Sequence, residues 1–343
     1  FPLPSGKVNA GTTINGASYD AARGQGSEWK AEQVNVVTFQ CADDQGNTLG
    51  TFKRSIPVTA TEITSDLCPT FKNLKVETIA PEGENTYAVT YKREAYAVTY
   101  HCTTPEGAII ADDEVAVPIG ESYTVAIPTH EFFTFKSADK DNGTTLTPDA
   151  DLTINATYTT DAFIGVKKEG EVVTKLEGGK QYLLYDATTA SGRSGYRAIS
   201  GDNINRELSA DNASPYAVWE LQGTNNKFKV YNPYSSYYVP SLVRSTATKG
   251  KNTGDTFTFT LNADGETFNV KGTNGQYWDG NESGDLVGWN QGTGHPIRVS
   301  TFFARPMYEV DVTYIDEETG RALAEKVLLL DAGSAYTLTT PAY

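Results

Sequence analysis

AVWELQGTNNKFKVYNPYSSYY (217–238) and FTFTLNADGETFNVKGTNGQYW (257–278) carry apolar residues at the same places. Ala217, Trp219, Leu221, Phe228, Val230 and Tyr237 recur as Phe257, Phe259, Leu261, Phe268, Val270 and Tyr277, every pair 40 residues apart. A further 40 residues on, Ile297, Val299 and Thr301 repeat the first strand, and YLLYDATTASGRSGYRAI (182–199) supplies the second strand with a longer loop. The segment is thus about three copies of one β-unit, offset so that the last strand completes the first copy. A threefold β-repeat of this length closes most economically as a barrel with a hairpin cap, because closure leaves no sheet edge unpaired. Trp219, Phe259 and Val299 should then occupy equivalent barrel positions.

The rest of the composition agrees with an all-β chain. Of its 343 residues, 20 are Tyr and one is Met. Thr, Val, Tyr, Gly and Asn are abundant, and runs of helical period are missing. No apolar run approaches the ~18 residues that a spanning helix needs, so no membrane insertion is expected. The net charge of −15 is uneven. Residues 172–306 hold 13 basic and 12 acidic residues, whereas the remainder holds 15 basic and 31 acidic. Acidic flanks repel nucleic acid and anionic membrane, and the near-neutral centre suits neutral ligands such as glycans.

Those flanks repeat on a second period. VVTFQCADDQGNTL (36–49) and AVTYHCTTPEGAII (97–110) share a strand, a Cys, a polar turn and a Gly at an offset of 61, which also relates Pro57 to Pro118 and Phe71 to Phe132. Each unit closes on a strand, TYAVTYK (86–92) or TINATYT (153–159). VDVTYIDEETGRAL (310–323) opens a third copy, with Gly333, Tyr336 and Pro341 matching Gly120, Tyr123 and Pro128. The chain starts at Phe1 without Met and stops inside this copy, so it reads as a piece of something longer.

The pattern VTY-(I/H)-(D/C)-x-x-x-G, followed by G-x-x-Y-T-(V/L) and Pro, resembles the MucBP (mucin-binding-protein) repeats of bacterial surface proteins. That resemblance implies small β-rich modules serving as stalks or mucin binders. The 40-residue units look like a β-trefoil, similar to ricin-type lectin domains, although the Q-x-W motif of those lectins is absent. The expected architecture is therefore all-β: residues 1–33 a linker or tail, 34–93 and 94–160 two β-rich repeats, 161–171 a linker, 172–306 a β-trefoil-like domain, and 307–343 a truncated third repeat.

Catalytic chemistry finds little support. His101, His130 and His295 sit in different contexts, and nucleophile elbow, H-E-x-x-H and phosphate-loop motifs are missing. Asp43-Asp44 and Asp112-Asp113-Glu114 are carboxylate pairs at matching polar turns, where nothing apolar would raise a pKa. Asp139-Lys-Asp141-Asn-Gly143 opens like a calcium loop but lacks its later ligands. Cys41, Cys68 and Cys102 form neither a disulfide framework nor a zinc ligand set; Cys41 and Cys68 are either bridged or two buried thiols. No cofactor and no metal are expected.

The aromatics of the third unit remain. A sugar packs its C–H faces on an aromatic ring and pairs its hydroxyls with Asp, Asn or Gln. Trp278, Asp279 and Asn281, with Trp289, Asn290 and Gln291, offer that mixture, and Tyr238 offers a weaker copy in the preceding unit. Burial of both indoles in the barrel is the competing reading. Overall the sequence points to a non-catalytic carbohydrate-binding or adhesion segment of a secreted or surface bacterial protein, with glycans or mucin-like glycoproteins as partners. Two alternatives stay open: the accessory tail of a large secreted hydrolase, and a purely structural stalk.

Overall fold

The computed structural model describes residues 34–60, 62–187, 194–290 and 295–339, together with the short strands Thr13–Ile14 and Ala17–Ser18. Among them the only helical turns are the single 3-10 turns Ser65–Leu67 and Pro215–Ala217. None is long or apolar enough to cross a membrane. The chain divides into two compact units, Phe1–Ala97 with Ala116–Glu121, and Val98–Val115 with Ser122–Tyr343.

The first unit contains a four-stranded sheet of β1 (Val34–Asp43), β2 (Thr48–Pro57), β3 (Leu74–Gly83) and β4 (Thr86–Arg93), in the order β2-β1-β4-β3. β1 and β4 run parallel, with Cys41 opposite Val89. Alternation along the strands turns Val37, Phe39, Cys41, Val89 and Tyr91 onto one face, where they form the buried cluster with Ile56 and Cys68. The second repeat uses the same pairing. β5 (Ala95–Thr103) and β8 (Leu152–Thr159) are parallel with Cys102 opposite Ala156, and β7 (Thr134–Ala138) lies antiparallel to β8; β6 (Ile109–Pro118) follows β5. All three cysteines are free and buried, so Cys41 and Cys68 are two thiols rather than a bridge.

The 40-residue units build a closed barrel. Its six strands are β10 (Lys180–Asp186), β13 (Trp219–Thr224), β14 (Lys227–Asn232), β15 (Phe257–Leu261), β16 (Thr267–Lys271) and the start of β19 (Ile297–Ile315). Each pairs antiparallel with the next, through Tyr182↔Trp219, Leu221↔Val230, Phe228↔Phe257, Phe259↔Val270 and Phe268↔Ile297; Leu184↔Val299 closes the ring. Two hairpins accompany the barrel: β11 (Gly195–Ser200) with β12 (Asn203–Glu207), and β17 (Tyr277–Gly280) with β18 (Leu286–Trp289). Between β13 and β14 the chain reverses over Asn225 and Asn226, at φ 54° and 59°. Two consecutive left-handed residues make the turn whose twist matches a hairpin, and Asn tolerates that conformation better than most side chains.

Trp219, Phe259 and Val299 are all buried in this barrel core, as are Phe257 and Ile297, whereas Ala217 is buried in a separate cluster. The repeat is imperfect at one place: Leu221 is fully buried, whereas Leu261 is 44% exposed. The segment 161–171, expected as a linker, is mostly strand. β9 (Phe163–Val172) pairs with β19 from Met307 to Ser300, and Val166 fills a second buried cluster with Leu183, Val218 and Phe302. Nor does the chain break at 306/307. β19 is one 19-residue strand that continues into a hairpin with β20 (Ala322–Asp331).

Because Trp219 is wholly buried and its indole N–H donates to the Arg197 carbonyl at 2.6 Å, truncation leaves both a cavity and an unpaired carbonyl. Trp219→Ala should cost ~3–5 kcal/mol by denaturant titration. A loss under ~1 kcal/mol would remove Trp219 from the core.

Candidate functional site

The stretch expected to be a glycan-binding loop is instead the β17–β18 hairpin. Trp278 is paired with Gly288 and Tyr277 with Trp289. Directly opposed residues share a face and successive residues alternate, so Trp278 and Trp289 project from opposite sides of the hairpin. They cannot form one platform. Trp278, 2% exposed, stacks edge-on against Phe257 at 5.6 Å in the barrel core. Trp289 is 36% exposed and lies under the Arg244 guanidinium, 4.7 Å from the ring centre.

The other expected ligand residues are mostly engaged elsewhere. Asn281 closes the hairpin turn: its Oδ1 accepts from the Asp285 backbone N–H at 2.9 Å, and its Nδ2 donates to Asp285 Oδ2 at 2.9 Å. Asn290 is exposed and accepts from Gln276 Nε2 at 2.8 Å. Tyr238 donates to Gln222 Oε1 at 3.1 Å and packs on Tyr231 at 4.6 Å. Gln291 lies outside the described residues. The proposed platform thus reduces to Trp289 and Asn290.

Asp279 belongs to a buried ionic cluster that the sequence did not reveal. His295 Nε2 is 2.8 Å from Asp279 Oδ1, and His295 Nδ1 is 3.5 Å from Asp186 Oδ2, an ion-pair distance without hydrogen-bond geometry. The Arg197 guanidinium pairs with Asp186 and donates to the Gly284 carbonyl at 2.9 Å. Two carboxylates face two cations, so the cluster is neutral only while His295 is protonated. Burial opposes the charge on His295, but Asp186 and Asp279 outweigh it and raise the imidazole from 6.5 to about 9. No period could have flagged this cluster, because its members occupy non-equivalent places in different copies. It is built as a structural tie, since its polar atoms are turned inward on one another.

A concave surface of this unit lies elsewhere. A cleft of about 260 Å³ opens where the turn after β5 meets the barrel. The turn is pinned: Lys180 Nζ donates to the Pro105 carbonyl at 2.9 Å and the Gln181 N–H donates to the Glu106 carbonyl at 2.7 Å. Thr104, Glu106 and Thr160 supply polar groups, and Phe163 and Tyr234 supply rings. Phe163 is 41% exposed and meets Tyr234 edge-on at 4.8 Å; the Tyr234 hydroxyl donates to Glu309. Gln181 lines the same cleft, with its Oε1 shielded from solvent and without a hydrogen-bond partner among the described residues. The cleft is assembled from five separate stretches, 104–106, 159–164, 181, 215–218 and 233–234, so no single run of sequence displays it.

Residues 97–159 and 309–343 match the MucBP domain. No curated protein matches the chain. Among solved structures, the chain is similar to a Polyporus squamosus lectin bound to the human-type influenza-binding epitope Neu5Aca2-6Galb1-4GlcNAc, at 15% identity and a TM-score of 0.31. That match covers 40% of this chain and 52% of the lectin, so it spans about half of that protein. A Macrolepiota procera ricin B-like lectin in complex with lactose is similar at 14% identity and a TM-score of 0.27, over 36% of this chain and 88% of the lectin.

The raised His295 makes a pH prediction. A folded-state value of about 9 against an ordinary 6.5 means that the stabilisation is complete below pH 6.5 and is lost as pH rises through about 9. Melting temperature should fall across that window. His295→Gln, which cannot titrate, should flatten the fall. Equal slopes in both proteins would show that His295 is not charged in the fold.

Proposed function

We propose that the chain is a non-catalytic glycan-binding or adhesion segment of a secreted or surface-attached bacterial protein, and that the glycan occupies the cleft beside Phe163. The observation that carries this reading is the chemistry of the cleft. An exposed ring, Phe163, stands in a cleft that is also lined by Thr104, Glu106, Thr160 and Gln181. A sugar fits this lining, since its C–H face packs on the ring and its hydroxyls pair with polar side chains beside it. The near-neutral charge of the barrel segment favours uncharged sugars, and the two MucBP matches support mucin-like glycoproteins as the source of them.

Binding to one sugar unit in an open cleft should be weak, near millimolar, about −4 kcal/mol. Titrating the chain with mucin-type oligosaccharides should give saturable binding that Phe163→Ala abolishes with little change in melting temperature. Trp289→Ala should leave it intact. Binding lost with Trp289→Ala and kept with Phe163→Ala would move the ligand to the hairpin. No binding to any oligosaccharide would leave a structural stalk.

A further inference from the structure

The two β-repeats share strand pairing and register, yet they differ in chemistry beside one cysteine. In the first, Cys41 Sγ is 3.8 Å from the Tyr91 hydroxyl, which donates to the Pro69 carbonyl at 2.7 Å. Phe71 packs edge-on against Tyr91 at 4.9 Å, and Phe52 packs edge-on against Phe71 at 5.6 Å. In the second, Cys102 Sγ is 3.9 Å from the Tyr158 hydroxyl, which donates to the Pro128 carbonyl at 2.7 Å. His130 follows Pro128 by the interval at which Phe71 follows Pro69, and it packs edge-on against Tyr158 at 5.1 Å. Asp113 follows Cys102 by the interval at which Phe52 follows Cys41. One scaffold therefore holds a Phe–Phe pair in the first repeat and a carboxylate–imidazole pair in the second.

Replacing an apolar pair by a polar one beside a buried thiol is costly unless the polar atoms find a partner. Asp113 is half exposed and meets water, whereas the imidazole nitrogen beside it does not. His130 Nε2 is shielded from solvent, makes no hydrogen bond, and stands 3.4 Å from Asp113 Oδ2. With Cys102 Sγ these donor atoms all lie within 4.8 Å of one another. Zinc bonds of about 2.0–2.2 Å to N and O at a tetrahedral angle set those two atoms about 3.4 Å apart, and those of about 2.3 Å to S set the sulfur edges near 3.6 Å. The N···O edge is already at that length, and the sulfur edges need at most about an ångström of closure, which the half-exposed Asp113 side chain and a cysteine rotamer can supply.

We propose that Cys102, Asp113 and His130 form a zinc site, with water in the fourth position. One sulfur, one imidazole nitrogen and one carboxylate oxygen suit zinc better than the all-oxygen sets of magnesium or calcium. Burial keeps the free Cys102 thiol protonated, so its proton passes to solvent as the zinc–sulfur bond forms. The ion would tie β5, β6 and the Pro128–His130 segment together, a link that the aromatic cluster supplies in the first repeat.

The test uses the whole chain, stripped with a chelator and titrated with zinc by calorimetry and with cobalt by absorption. One ion per chain, a tetrahedral cobalt spectrum with sulfur-to-cobalt charge transfer, and a rise in melting temperature on adding zinc are expected. His130→Phe, which installs the first repeat's own residue, should fold and lose the ion. Asp113→Asn, at a half-exposed side chain, should weaken zinc by about tenfold or more. Cys102→Ser should remove the charge-transfer band, and Cys41→Ser should change nothing. A flat titration, as a plain His–Asp ion pair gives, overturns the proposal, and so does binding that survives His130→Phe or vanishes with Cys41→Ser.

Discussion

The 19-residue strand Ile297–Ile315 is the constraint on which the second unit depends. Its first residues close the barrel by pairing with Leu183–Asp186 on one side and Thr267–Phe268 on the other. The stretch from Ser300 to Met307 receives β9, and the remainder starts the hairpin of the third repeat. A barrel that fails to close exposes two strand edges and the apolar interior together, so closure and core burial are a single cooperative event. Since the same backbone then runs on into β20, the third repeat's first hairpin is an extension of the barrel's last strand.

Much of the barrel was legible because its core obeys a period. Positions that recur every 40 residues, such as Trp219 and Phe259, are the inward-facing ones, and alternation does the rest. What the period could not reach was the hairpin of Trp278 and Trp289. Trp278 lacks a hydrophobic partner one unit earlier other than Tyr238, so it looked free; its burial follows from strand parity, which depends on the length of the Asn281–Asp285 turn. In the flanking repeats the 61-residue offset that relates Cys41 to Cys102 drifts to 59 by Pro69 and Pro128. That drift hid the correspondence of Phe71 with His130 and suggested Phe132 instead. It also explains why three cysteines read as metal-free: the missing donors are a histidine and an aspartate brought in by the fold.

The second unit holds its polar groups in two ways. Asp186, Arg197, Asp279 and His295 offset one another's charge inside, and such buried ion pairs owe their persistence to mutual compensation rather than to net gain. Phe163 and Gln181 instead line the cleft, where an exposed ring stands beside polar side chains. The turn after β5 that walls the cleft is fastened by Lys180 and Gln181, so the site is largely preformed and little ordering entropy opposes binding.

The central claim is that ligand recognition belongs to this cleft, and chemical-shift mapping by NMR during an oligosaccharide titration tests it most directly. Shifts should concentrate on Thr104–Glu106, Thr160–Ile164, Gln181 and Tyr234, with Trp289 and the barrel interior unmoved. Shifts confined to Trp289 and Asn290, or absent throughout at millimolar ligand, would contradict it.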